Sequence, residues 1–107
     1  VYKENKLSDE EVRNLVTGKT QVLAGFAGGG WTQKFGKDGN VTYQGCGMKD
    51  TGKFWIENDQ CCVTYNKMMA GLTLCLDLYR NPGGTFEKKD EYIQVNDFGM
   101  YPISYVD

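Results

Sequence analysis

Leu72-Thr73-Leu74-Cys75-Leu76-Asp77-Leu78-Tyr79-Arg80 places a leucine at every second position from 72 to 78, with Thr73, Cys75 and Asp77 between them and Tyr79 in the same phase. A period of two is that of a strand with one face against a core. The run before it, Cys61-Cys62-Val63-Thr64-Tyr65-Asn66, is rich in β-forming residues, and only Lys67-Met68-Met69-Ala70-Gly71 joins the two. So short a connection predicts two antiparallel neighbours. Cys61 and Cys62, adjacent on a strand, must point to opposite faces, and the leucine face leaves Cys75 on the other, less apolar side.

The same rhythm continues on both sides. Candidate strands are residues 20–26, 30–35, 41–45, 52–57, 61–66, 72–80, 86–89, 91–95 and 101–106, of which 86–89 and 91–95 can be one strand. Turn residues separate them at Lys37-Asp38-Gly39-Asn40, Lys49-Asp50-Thr51-Gly52, Glu57-Asn58-Asp59-Gln60, Asn81-Pro82-Gly83-Gly84 and Asn96-Asp97-Phe98-Gly99. Asn and Gly there tolerate positive φ, as hairpin turns require. In the second strand one face carries Trp31, Gln33 and Phe35. Ahead of the strands, Ser8-Asp9-Glu10-Glu11 matches a capping box, and Leu7, Val12, Leu15 and Val16 form one apolar stripe before Gly18. We read a helix over 9–16, a loose arm over 1–6, and one β domain over 19–107. About eight strands with hairpin connections favour an up-and-down meander closed into a small barrel, because closure removes exposed edges.

The 107 residues carry 12 basic and 14 acidic side chains, a net charge of −2, and no histidine. Interspersed, nearly balanced charge gives no nucleic-acid footprint. Apolar runs such as 22–24 fall far short of the roughly 20 residues of a membrane helix, so a soluble chain is expected. The lack of histidine removes Ser-His-Asp and Cys-His catalysis and histidine metal sites together. The carboxylates fall mainly at turns and in Glu87-Lys88-Lys89-Asp90-Glu91, as a solvated surface would have them. Asp77, inside an apolar strand, either faces solvent or pairs with Arg80 or a lysine. The glycine-rich stretch from Gly25 to Trp31 lacks the GK[ST] of a phosphate cradle, and Gly18-Lys19-Thr20 stands between a helix and a strand, the reverse of P-loop order. Asn40-Val41-Thr42 fits a glycosylation sequon met often by chance, and Asp38-Gly39-Asn40 and Asp50-Thr51-Gly52 lack the rest of a calcium loop. No enzyme activity and no cofactor are expected.

Cys46, Cys61, Cys62 and Cys75 are separated by 15, 1 and 13 positions. That spacing disfavours zinc and points to disulfides and an oxidising compartment. A vicinal Cys61–Cys62 bond is strained, which leaves two pairings; the neighbouring strands favour Cys62 with Cys75, and Cys46 with Cys61 as its complement.

The order of features resembles small exported bacterial proteins of unknown function. It runs from a short helix through Leu15-Val16-Thr17-Gly18-Lys19-Thr20, Trp31 with Phe35, and the 37–40 turn. Gly52 with Trp55, Asp59-Gln60-Cys61-Cys62, and Cys75 ahead of Leu78-Tyr79-Arg80 complete it, so that it covers residues 7–80. This chain departs from the pattern in Lys53-Phe54 and in the extra Cys46 and Cys61. The resemblance implies a lipocalin-like, disulfide-containing barrel in a secreted or periplasmic setting. A barrel of about eight strands is either filled by its own side chains or holds one small ligand. The expected function is thus that of an exported, non-catalytic protein binding a small apolar molecule, with Phe26, Trp31, Met68 and Met69 as contacts. The alternative is an inhibitor or envelope-interaction protein that uses rim loops 25–30 and 67–71 around a filled core.

Overall fold

The computed structural model describes residues 3–23, 31–45, 47–84 and 91–106. Helix α1 spans Asp9–Val16 and is followed by β1 (Thr20–Leu23), β2 (Trp31–Phe35), β3 (Asn40–Gly45), β4 (Met48–Glu57), β5 (Gln60–Tyr65), β6 (Thr73–Arg80), β7 (Tyr92–Asn96) and β8 (Gly99–Val106). Every strand pairs antiparallel with the next, and β8 pairs with β1 from Thr20–Val106 to Leu23–Ile103, so the sheet closes into a barrel. The expected fold, a short helix and then about eight antiparallel strands forming a barrel, is the one observed.

Helix α1 starts as its sequence dictates. The Ser8 Oγ accepts from the Glu11 N–H at 3.4 Å, and Glu11 Oε1 accepts from the Ser8 N–H at 3.2 Å. The helix then crosses one end of the barrel. On one side the Leu7 N–H donates to the Leu78 carbonyl at 2.9 Å, and on the other the Gly18 N–H donates to the Phe35 carbonyl at 2.8 Å. Between these pins Val12 and Val16 are fully buried in the cluster that holds Leu7, Phe35, Val41 and Leu78. Each buried valine contributes about 1.5 kcal/mol or more, so the apolar stripe helps to hold the helix in place. The Asp9 N–H donates to Asp59 Oδ1 at 2.7 Å, and Arg80 pairs with Glu11, which ties the helix to the β4–β5 turn and to β6.

Three local expectations give way to the tertiary structure. Residues 49–52 are not a turn: β4 runs through them, and the β3–β4 hairpin closes earlier, where Gly45 pairs with Met48. Gly52 is there for a different reason, since it pairs with Val41 on one side and Tyr65 on the other. A Cβ at Gly52 would overlap the Thr64 carbonyl. From Lys3 onward the supposed loose arm is also tied down. Lys3–Asn5 is a turn of 3-10 helix, and Lys6 bridges to Tyr79 on β6, while its ammonium reaches the Asp59 carbonyl and Asp77. Asp77 is accordingly paired, to Lys6 and to the Gln60 amide at 3.0 Å. Finally, Leu72 stands ahead of β6 at the rim with 69% of its surface exposed, because the strand begins one residue later.

Cys62 and Cys75 face each other across β5 and β6 and are disulfide-bonded. Leu74, Leu76 and Leu78 alternate with Cys75, so the bridge belongs to the outer wall. Cys61, expected to pair with Cys46, is a free thiol with no exposed surface, in the interior row with Val63 and Tyr65. The alternation that sends Cys62 outward sends Cys61 into the core, where it packs as a small apolar residue. Cys46 lies outside the described residues, as do Phe26 and the rest of 24–30.

Two outcomes follow for stability in urea. Gly52→Ala is expected to lose about 1–3 kcal/mol through overpacking; an unchanged midpoint would mean that β4 and β5 do not approach as closely as described. Replacing Cys62 and Cys75 together by alanine is expected to cost about 3 kcal/mol, the loop-closure value for a bridge of this span.

Candidate binding cavity

With α1 across one end, the described residues leave the barrel interior accessible at the other. Met68 and Met69 of the β5–β6 connection and Phe98 of the β7–β8 connection stand around that opening. Below it lies a cavity of about 170 Å³. Trp31, Tyr43, Tyr65 and Tyr101 form its aromatic wall, and Val63, Leu74 and Leu76 line it on the β5–β6 side. Met68, Met69 and Phe98 stand at the mouth, and Gln33, Gln94 and Asn96 add the polar lining. Of the contacts expected from sequence, Trp31, Met68 and Met69 are thus brought together here.

The aromatic wall has a defined geometry. Trp31 meets Tyr43 at 6.3 Å between ring centroids and Tyr101 edge-on at 6.4 Å, and Tyr43 meets Tyr65 edge-on at 6.0 Å. Such tilted pairs present both faces and edges to the space between them. Gly45 lies opposite Trp31 on β3, and a Cβ there would stand 2.5 Å from the Trp31 Cβ, so the missing side chain lets the indole sit where it does.

Behind this wall four polar side chains of the interior are linked to one another. The Tyr65 hydroxyl donates to Gln33 Oε1 at 2.7 Å, Gln33 Nε2 donates to Gln21 Oε1 at 2.8 Å, and Gln21 Nε2 donates to the Tyr105 hydroxyl at 2.7 Å. The chain crosses from β5 through β2 and β1 to β8. Burial, with the nearby Asp50 charge, pushes the Tyr65 phenol well above its ordinary range; burial likewise raises Tyr105 against the opposing effect of the Gln21 hydrogen bond. Both are held as neutral hydroxyls. Burial also pushes the Cys61 thiol up to about 12, which makes it an inert packing group.

One carboxylate shapes the lip. Asp50, 5% exposed, accepts from the Thr51 N–H at 2.8 Å through Oδ1, and from the Lys67 and Met68 N–H groups at 2.9 and 2.8 Å through Oδ2. It thereby fixes the start of the Met68–Gly71 turn, in which Met69 and Ala70 both take left-handed conformations, φ 53°. Desolvation pushes the Asp50 carboxyl up, but the amides of Met68, Lys67 and Thr51 and the Lys67 charge outweigh it, leaving the pKa below the ordinary 3.8. On the outer wall Glu57 lies within 4.8 Å of the Cys62 and Cys75 sulfurs, yet these are bonded to each other and are not thiolate ligands.

Because the folded Asp50 pKa is the lower one, its anchoring of the lip is complete above pH 3.8 and is lost as the pH falls through the folded value. Amide exchange at Lys67 and Met68 is expected to be protected at neutral pH and to lose that protection in this acid window. Asp50→Asn should speed exchange of the same two amides at neutral pH, and equal rates in variant and parent would remove Asp50 from this role.

No family model, curated protein or solved structure matches the chain, so what stands of the resemblance drawn from its sequence is the architecture, an eight-stranded antiparallel barrel carrying a disulfide.

Proposed function

We propose that this is an exported, non-catalytic binding protein whose barrel holds one small, largely apolar molecule. The cavity carries the reading: about 170 Å³, closed below by the core and walled by Trp31, Tyr43, Tyr65 and Tyr101. An apolar cavity of roughly 150 Å³ is enough to take up benzene, so the space suits a single ring. The titratable side chains lining it are tyrosines, which supports a role without chemistry at neutral pH. The Cys62–Cys75 bridge supports a secreted or periplasmic site of action, since disulfides persist in oxidising compartments. Among the described residues no helix is long and apolar enough to cross a membrane.

A second reading, an inhibitor or envelope-interaction protein using its rim, draws support from Leu72, Phe98 and Met100, which are 69%, 70% and 59% exposed. Leu72 precedes β6, and Phe98 and Met100 flank the start of β8, all at the open end.

Toluene titrated into the protein under NMR observation separates the two. Saturable shifts at Trp31, Val63 and Leu74 are expected, and they should vanish in Leu74→Phe, whose larger ring fills the space. Absence of saturable shifts in the parent protein, or equal shifts in the variant, would discard the ligand-binding reading in favour of the rim.

A further inference from the structure

Resting on the binding reading, and going beyond it to the chemistry of the ligand, we propose that the cavity selects a single-ring aromatic molecule bearing one N–H or O–H donor, which it reads with the side-chain oxygen of Gln94. Gln94 is 3% exposed, lines the cavity from β7, and its Oε1 has no hydrogen-bond partner. An orphaned acceptor at such depth is costly unless something supplies a donor.

Among the described residues none supplies it. Gln33, the other buried amide on this cavity, has its oxygen taken by Tyr65 and its nitrogen given to Gln21. Tyr101, directly across from Gln94 on β8, has its hydroxyl turned toward Gly99 at the rim. Leu76 and Leu78, on the neighbouring β6, are apolar. A lone water needs two to four polar partners to be well held, and beside Gln94 the Gln33 amide and the Tyr65 hydroxyl are already spent on each other and on Gln21. A ligand that brings its own donor on an apolar ring satisfies Gln94 while leaving the rest of its surface to the aromatic wall. This is the arrangement by which small-molecule sites fix orientation, with a few polar groups in an apolar pocket. A site built around a buried hydrogen-bonding group also rejects the analogue that lacks the matching donor, because the group is then left unpaired.

Phenol and toluene have the same shape and differ in this donor, so they test the inference directly. Dissociation constants for both are measured by calorimetry on the parent protein and on Gln94→Met, which keeps the side-chain length and loses the acceptor. The expected result is that the phenol-to-toluene affinity ratio falls about tenfold in Gln94→Met, the worth of one hydrogen bond, while toluene binding persists and so reports that the variant is folded. An unchanged ratio overturns the assignment to Gln94 and leaves the binding protein standing. If toluene and phenol both fail to bind the parent protein, the cavity is no ligand site, and the inference falls together with the reading beneath it.

Discussion

The pairing of β1 with β8 is the constraint on which the rest depends. Thr20 to Leu23 and Ile103 to Val106 are the two ends of a meander, and joining them turns a sheet with two open edges into a surface with an inside. Only after closure do Gln21, Gln33, Tyr65 and Tyr105, which come from four strands, meet as one hydrogen-bonded chain. Four buried polar side chains would each be a liability alone. Linked, they stiffen the interior and define one arrangement of it.

Closure also explains why the two ends of the barrel differ. At one, α1 lays Val12 and Val16 over Phe35 and Leu78, and there the interior is solid. At the other, the rim carries Met68, Met69 and Phe98 over aromatic walls, and the described residues enclose a cavity. Asp50 links the wall to the rim, because both its oxygens are spent on backbone amides of the lip and of its own strand. A carboxylate at a wall position is thereby a structural anchor, and its lowered pKa is the mark of the amides that surround it.

Against this background Gln94 stands apart. Its Oε1 is the one buried side-chain polar atom without a partner among the described residues. The interior pairs Gln21 and Gln33 fully, so an unsatisfied amide on the cavity wall is not a general looseness of the core. A polar group kept at a cost in stability beside a cavity of about 170 Å³ is the observation on which the proposed ligand recognition rests.

The sequence by itself determined the periodic features. The leucines of 72–78 and the row Trp31, Gln33, Phe35 state their inner face through a period of two, and Ser8 with Glu11 states the start of the helix. Cys61 beside Cys62 could not share a face, so the outward Cys62–Cys75 bridge was legible, while the fate of Cys61 was not, since an inward cysteine is as well a packing residue as half of a bridge. Lys49-Asp50-Thr51-Gly52 reads as a turn by composition and is a strand in fact, because Asp50 is claimed by amides some seventeen positions on and Gly52 by the close approach of Thr64. Those partners are distant in sequence, and no local pattern encodes them. The cavity is of the same kind: Tyr92, Gln94 and Asn96 alternate plainly, but whether Gln94 finds a donor depends on where Tyr65, Gln33 and Tyr101 direct theirs once eight strands have closed around them.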